Sequence, residues 1–228
     1  MAEAPEGGRR IRVVNRILEA NERVAGENRK KFAAAGVRAL NLMSSPGAGK
    51  TALLEATLPR LEKAGVRAAV IAGDIATTRD AERIARVGAP VVQITTEGFG
   101  GECHLEAPAI RQALDQVELA GLDLLFIENV GNLVCPAEFD LGEDARVVLL
   151  SVTEGEDKPL KYPLAFRVAD LAVITKIDLL PHLRADIAAL RENLYRVNPK
   201  LERVELSAET GEGMAPWLAW LDRLRKHA

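Results

Sequence analysis

The sequence predicts a single α/β domain in which a doubly wound, mostly parallel sheet follows an N-terminal helical arm. Short runs of consecutive apolar residues alternate with segments of helical spacing over most of the chain. These runs lack alternating polar positions, which is typical of strands buried on both faces of a parallel sheet. The length of 228 residues suits one domain better than two. We place the arm at residues 1–38 and the domain at 39–228.

The order of these segments gives the individual elements. The charged segment 11–32 has apolar residues at loose helical spacing and predicts the arm. Apolar runs predict strands at 39–43, 68–72, 91–95, 122–127, 147–152, 171–175 and 204–206. Helices are predicted at 51–63, 78–87, 107–119, 184–196 and 215–225. Gly65 and Gly88 support the first two helix ends, because glycine is favoured just beyond a helix C-terminus.

Composition excludes several classes of protein. The net charge is −3 and Lys and Arg are dispersed, which disfavours a nucleic-acid binder. No apolar run reaches the about 18 residues of a transmembrane helix, and residues 1–10 lack the apolar stretch of a signal peptide. We therefore expect a cytoplasmic protein with no nucleic-acid or membrane partner. The presence of only two cysteines excludes a disulfide scaffold.

Residues 44–51, Ser-Ser-Pro-Gly-Ala-Gly-Lys-Thr, lie between a predicted strand and a predicted helix. They match the phosphate-loop pattern G-x-x-x-x-G-K-S/T, except that Ser44 replaces the first glycine. Lys50 is expected to reach the β- and γ-phosphates, and the Thr51 hydroxyl to bind Mg²⁺. The alternative is a glycine-rich turn that binds nothing. The residues predicted here to bind nucleotide are Pro46, Gly47, Ala48, Gly49, Lys50, Thr51 and Ala52.

Acidic residues follow two further strands. Asp74 would bind Mg²⁺ or orient water, or else cap the next helix. Glu128 follows the fourth strand, as expected of a carboxylate that binds Mg²⁺ directly or through water. Gly131 is placed to offer its N–H to the γ-phosphate. We predict Lys50, Asp74 and Glu128 as catalytic residues, and Thr51, Asp74 and Glu128 as magnesium ligands.

Two later elements indicate which base is bound. Thr175, Lys176 and Asp178 resemble the guanine-reading N-K-x-D pattern, with Thr replacing Asn. Asp178 would accept hydrogen bonds from guanine N1–H and the N2 amine, while the Lys176 stem covers the base. Ser207 and Ala208 resemble the element whose backbone N–H meets guanine O6. Their order behind the phosphate loop favours GTP over ATP, and Thr175 leaves open whether the usual bracing of that loop is kept.

Cys103, His104 and Cys135 form a candidate metal site. All three follow strands by a few residues, and are therefore expected at the carboxyl edge of the sheet, near the nucleotide. Two thiolates and an imidazole suit Zn²⁺ or Ni²⁺. Three ligands leave a tetrahedral site incomplete, and adjacent residues are awkward ligands for one ion, which together favour a site shared by two subunits. The alternatives are ordinary buried cysteines or a disulfide.

Together these segments resemble the HypB family of GTPases, which assist nickel insertion into nickel–iron hydrogenase. The resemblance covers about residues 11–225. It is most specific in Gly-Gly-Glu-Cys-His-Leu at 100–105 and in Glu-Asn-Val-Gly-Asn-Leu-Val-Cys-Pro at 128–136. It extends to residues 44–51, 73–77, 151–159, 176–180 and 212–214.

The resemblance implies a SIMIBI-class P-loop GTPase that dimerises with GTP and has a Ni²⁺ or Zn²⁺ site of Cys103, His104 and Cys135 at the dimer interface. It implies a HypA-like nickel chaperone and a hydrogenase large-subunit precursor as partners. Some members carry a cysteine motif or a His-rich tract at the N-terminus; residues 1–38 have neither, so nickel storage is not expected. The alternatives are a UreG-like urease nickel GTPase, a P-loop small-molecule kinase and a non-hydrolysing metal carrier.

Overall fold

The computed structural model describes residues 7–74, 79–96 and 103–226. Each predicted strand is present there; β3 and β6 have the predicted bounds, and the other strands differ from the prediction by one to four residues at one or both ends. The strands are β1 (Arg38–Ser44), β2 (Ala68–Asp74), β3 (Val91–Thr95), β4 (Leu124–Gly131), β5 (Ala145–Ser151), β6 (Leu171–Thr175) and β7 (Glu202–Glu205).

The arm and the predicted helices are present as well, and two short helices between β5 and β6 were not predicted. The helices are α1 (Gly7–Ala35), α2 (Lys50–Lys63), α3 (Arg79–Arg86), α4 (Ala107–Ala113), α5 (Lys158–Lys161), α6 (Pro163–Val168), α7 (Ile187–Val197) and α8 (Met214–Lys226). Residue 78, the predicted start of α3, lies outside the described residues. The boundary proposed between arm and domain at residue 38 stays a prediction.

The strands form one sheet in the order β3-β2-β4-β1-β5-β6-β7, and every pair is parallel. The predicted doubly wound fold is therefore confirmed. Strand β4 lies between β2 and β1 and continues to Gly131, so Glu128 belongs to the strand rather than to the loop after it. None of the helices in the described part of the chain is both long and apolar enough to span a membrane.

The predicted helix 107–119 is wrong in its second half, because α4 ends at Ala113. Beyond it, the N–H groups of Asp115 and Gln116 donate to carbonyl groups only three residues back. This tight turn takes the chain out of the helix, and Val117 packs against the apolar cluster under α4.

Both faces of the sheet are buried. On one face, Phe126 of β4 packs in a cluster with Leu53 of α2 and Trp217 of α8. On the other face, Ile127 packs in a cluster with Phe32 of α1. Since neighbouring residues of β4 face opposite sides and both sides are covered, residues 124–127 are consecutive apolar residues rather than alternating ones.

Buried asparagines attach α1 to the domain. The Asn28 Nδ2 donates to the carbonyl oxygens of Ala107 and Leu141, each at 3.0 Å. Asn21 accepts the N–H of Ala107 at 2.8 Å and donates to the Asp140 carbonyl at 2.7 Å. Because these side chains satisfy backbone groups that would otherwise be buried without partners, the second half of α1 is integral to the packed structure.

Replacing Asn28 with Ala should lower the free energy of unfolding by about 1–3 kcal/mol, because two buried carbonyl groups lose their donor. Urea denaturation measures the effect, with the exposed Lys30→Ala on the same helix as the control. Equal stabilities of the two variants would show that these hydrogen bonds do not hold α1 in place.

Candidate functional site

The phosphate loop occupies the turn between β1 and α2. Gly47 and Gly49 have φ angles of 78° and 97°, a left-handed conformation that residues with a Cβ rarely adopt, so both positions require glycine. Helix α2 begins at Lys50, and its first N–H groups have no partner within the helix. An anion at this turn meets those N–H groups and the positive end of the helix dipole.

Ser44 occupies the position that departs from the usual pattern. It is fully buried, and its Oγ accepts a hydrogen bond from Lys50 Nζ at 2.9 Å while donating to the Ser45 carbonyl at 2.7 Å. Burial lowers the pKa of Lys50, and the nearby Glu128 carboxylate opposes that shift. The serine thus gives the buried ammonium group of Lys50 a hydrogen-bond partner within the loop.

Two of the three predicted magnesium ligands, Thr51 and Glu128, contact each other directly, and the third, Asp74, lines the same cavity. Thr51 Oγ1 donates to Glu128 Oε1 at 2.7 Å, which joins α2 to β4. Glu128 is 3% exposed, and its Oε2 has no hydrogen-bond partner among the described residues. Burial raises the pKa of Glu128 to about 7, against the opposing effects of Lys50 and Thr51. A hydroxyl beside a carboxylate with a free oxygen fits Mg²⁺, which prefers such oxygen ligands.

These groups line a cavity of about 520 Å³ at the carboxyl edge of the sheet. Most of the predicted phosphate-binding and catalytic residues meet there. Those that line it are Pro46, Gly47, Gly49, Lys50, Thr51, Ala52, Asp74, Glu128, Gly131 and Lys176. Sequence reasoning missed five further lining residues, namely Gly73, Asp80, Arg83, Asn129 and Val130.

Helix α3 contributes two charged residues, Asp80 and Arg83, to the cavity wall, and the sequence alone did not predict them there. Arg83 forms two hydrogen bonds with Glu55 of α2, from Nε at 3.0 Å and from Nη2 at 2.5 Å, and Asp80 lies 3.7 Å from its Nη1. Charged residues on a short surface helix carry no signal of a site, and only the packing of α3 beside α2 brings them to this wall. Arg83 is thus ion-paired to Glu55 and Asp80, and together with Lys50 and Lys176 it is one of three cationic side chains that line the cavity.

Residues at the end of β6 brace the phosphate loop. Thr175 Oγ1 donates to the Ala48 carbonyl, and Lys176 Nζ donates to the Gly47 carbonyl, each at 2.7 Å. Thr175 therefore keeps a bracing contact in the position where Asn is usual. Lys176 makes its contact from a left-handed backbone with φ 60°, a costly conformation that is common at functional sites.

The predicted base-reading elements lie beside this brace. Leu206 N–H donates to the Ile174 carbonyl, and Ile177 N–H donates to the Leu206 carbonyl. These bonds make the turn that contains Asp178 a neighbour of the segment that begins at Ser207. The predicted nucleotide-binding residues that do not line the cavity are Ala48, Thr175, Asp178, Ser207 and Ala208.

The three candidate metal ligands come together within one chain. One ligand atom each from Cys103, His104 and Cys135 lies within 4.8 Å of the others, and the two sulfurs are 3.2 Å apart. The His104 side chain is 11% exposed and its ring centroid lies 4.1 Å from that of Phe139. Neither His104 ring nitrogen has a hydrogen-bond partner in the described part of the chain, and Glu106 Oε1 lies 3.6 Å from Nε2. This donor set suits Zn²⁺ or Ni²⁺.

Adjacency along the chain does not keep the Cys103 and His104 side chains apart, because one ligand atom of each lies within 4.8 Å of the other. That they are awkward ligands for a single ion stays a prediction. Both cysteines are free thiols, which also excludes the alternative of a disulfide in this structure. Burial and the neighbouring Cys103 thiol raise the pKa of Cys135. A metal ion bound at this cluster would therefore have to displace protons from the thiols.

Known proteins resemble this chain over most of its length. The family described as CobW/HypB/UreG, nucleotide-binding domain, matches residues 38–205. Hydrogenase maturation factor HypB of Azotobacter vinelandii is 52% identical over 217 residues, which cover 95% of this chain and 70% of that protein.

Solved structures give the same result. The crystal structure of hydrogenase maturation factor HypB from Archaeoglobus fulgidus aligns with a TM-score of 0.83 at 40% identity, covering 91% of this chain and 100% of the other. The crystal structure of HypB from Helicobacter pylori in complex with nickel aligns with a TM-score of 0.85 at 36% identity. The alignment covers 91% of this chain and 96% of the other.

The raised pKa of Glu128 predicts how stability depends on pH without nucleotide and metal. The folded state binds this proton more tightly than the unfolded state, so the free energy of unfolding should fall as pH rises from about 5 to 8, by up to about 3 kcal/mol. Glu128→Gln removes this contribution, so the stability of the variant relative to wild type should increase over that range. Urea denaturation in EDTA measures it, with the exposed Glu62→Gln as the control. Parallel pH profiles for wild type and Glu128→Gln would contradict the assignment.

Proposed function

We propose that this chain, which belongs to the HypB family, is a GTP-hydrolysing nickel metallochaperone that serves the maturation of a nickel–iron hydrogenase. The observation that carries the proposal is the position of the Cys103, His104 and Cys135 cluster beside the nucleotide cavity. Leu105, next to His104, lies against Gly73 of the cavity wall. Hydrogenase maturation is the role in the names of the relatives, and one of the similar structures is a nickel complex.

GTP hydrolysis requires that charge developing on the γ-phosphate is neutralised. Lys50, the loop N–H groups and the guanidinium of Arg83 supply positive charge at the cavity. Thr51 and Glu128 would hold Mg²⁺, which when bound shields the phosphate oxygens against the approach of a nucleophile. Asp74 ends β2 at the same cavity and is the proposed group for orienting the attacking water.

We assign nickel or zinc as the cargo of the thiol–imidazole cluster and guanine as the base. Three donors leave a coordination position that a second copy of the chain can fill, which supports a GTP-dependent homodimer. A HypA-like nickel chaperone and the hydrogenase large-subunit precursor are the proposed donor and acceptor of the metal. Gly131 of the cavity wall and Cys135 lie on one continuous segment. Nucleotide state therefore alters metal affinity, and the coupling must be reciprocal.

Asp178→Asn should weaken GTP binding and improve binding of xanthosine triphosphate. The aspartate accepts hydrogen bonds from guanine N1–H and the N2 amine, whereas an amide can donate to the O2 of xanthine. The test measures dissociation constants for both nucleotides. Asp186→Asn is the control, since Asp186 caps α7 and asparagine caps equally well. An unchanged preference for GTP would count against the base assignment.

The Cys103→Ala, Cys135→Ala double variant should lose stoichiometric Ni²⁺ binding while keeping nucleotide binding, because neither thiol lines the nucleotide cavity. Absorption bands of thiolate-to-nickel charge transfer report the first property and GDP titration the second. His104→Ala should weaken Ni²⁺ binding, and the exposed His182→Ala should not. Full stoichiometric Ni²⁺ binding by the double variant would refute the site.

A further inference from the structure

The end of β4 contacts both the nucleotide cavity and the metal-ligand segment. Glu128 accepts the Thr51 hydroxyl, and Gly131 lies so close to the phosphate loop that an added Cβ would be 3.0 Å from Pro46 Cγ. Asn129 lies between these two residues, and Asn132 directly follows Gly131.

Asn129 joins three parts of the structure. It is 1% exposed, and its Oδ1 accepts the N–H groups of Leu105 and Val130, each at 3.0 Å. Its Nδ2 donates to Asn41 Oδ1 at 3.2 Å. Since Asn41 lies on β1, the strand that leads into the phosphate loop, one buried amide connects β1, β4 and the residue that follows His104.

Asn132 holds the same segment on the other side of His104. Its Nδ2 donates to the Cys103 carbonyl at 3.3 Å, and its Oδ1 accepts the Val134 N–H at 2.9 Å. This side chain therefore links the backbone of Cys103 to the residue that precedes Cys135, so the two ligand-bearing segments are connected by hydrogen bonds even without a metal.

The Cys103–Leu105 segment has little room to move independently of the cavity wall. The Leu105 side chain is 1% exposed and lies where a Cβ on Gly73 would stand, within 2.7 Å. The segment is thus fixed by Asn132 at Cys103, by Asn129 at Leu105 and by side-chain packing on Gly73. A shift of the β4 end relative to β2 must reach the ligands through these contacts, because packed interiors transmit displacement.

We infer that Asn129 and Asn132 are positioning residues that transmit nucleotide state from the end of β4 to Cys103 and His104. The inference rests on the proposed function, in which nucleotide and metal binding are coupled. It adds a route to the ligands before β4, beside the covalent route from Gly131 to Cys135. Without the Asn132 contacts, the cavity and the cluster should each bind their ligand, and the influence of one on the other should fall to the small part that the Asn129 contacts and the covalent route carry.

The test measures Ni²⁺ dissociation constants for the full chain with Mg²⁺–GDP and with a Mg²⁺–GTP analogue, using the charge-transfer absorption. Coupling of ordinary size makes the two constants differ by about 5-fold or more in wild type, and Asn132→Ala should reduce the ratio to within about 2-fold at unchanged Ni²⁺ stoichiometry and GTP affinity. Asn198→Ala is a matched control, because Asn198 also accepts an N–H two residues ahead and donates to a distant carbonyl, that of Phe166. Asn129→Ala, checked for folding by its cooperative urea denaturation, should act in the same direction.

The outcomes separate the two proposals. A wild-type ratio that persists in both Asn132→Ala and Asn129→Ala overturns this inference and leaves the proposed function standing. Equal affinities in wild type overturn the coupling itself, and the inference with it. Loss of Ni²⁺ stoichiometry in Asn132→Ala also overturns the inference, because Asn132 would then be required for Ni²⁺ binding itself rather than for its dependence on the nucleotide.

Discussion

The parallel pairing of β4 between β2 and β1 is the constraint on which the rest of the structure depends. Parallel strands end at the same edge of a sheet, so this pairing brings the phosphate loop after β1, Asp74 of β2 and Glu128 of β4 to one cavity. The register Leu42 to Glu128, followed by an irregularity before Ser44 pairs with Gly131, seats the end of β4 against the phosphate loop.

Charged side chains are buried at this carboxyl edge of the sheet, which suits them to bind a charged ligand but lowers the stability of the protein without one. Glu128 and Lys50 are removed from water, and burial disfavours the charged form of each. A ligand that supplies a divalent cation and phosphate oxygens relieves both penalties together, since the carboxylate gains a cation and the ammonium gains an anion. The binding site is therefore a region in which the protein without ligands sacrifices stability, and bound nucleotide is expected to stabilise the fold by linkage.

The cluster of Cys103, His104 and Cys135 also lies near the carboxyl edge of the sheet, but different contacts hold it in place. Its ligands come from two segments, and their relative position is fixed by side-chain amides that satisfy backbone groups rather than by secondary structure. Hydrogen bonds of this kind have a defined geometry, but each contributes only about 1 kcal/mol net. Such contacts hold the backbone on either side of His104 and before Cys135.

The sequence by itself determined the fold class, the strand order along the chain and the chemical identity of the phosphate loop, because these depend on local apolar runs, glycine positions and residue types. It also singled out Cys103, His104 and Cys135, since rare metal-binding residues beside strand ends are informative without coordinates. The end of α4 and the placement of Glu128 within β4 required the structure, because both depend on packing. Only the tertiary structure decided the contacts of Arg83, Asn129 and Asn132, because an arginine or an asparagine acquires a partner through its distance in space, and no spacing along the chain encodes that distance.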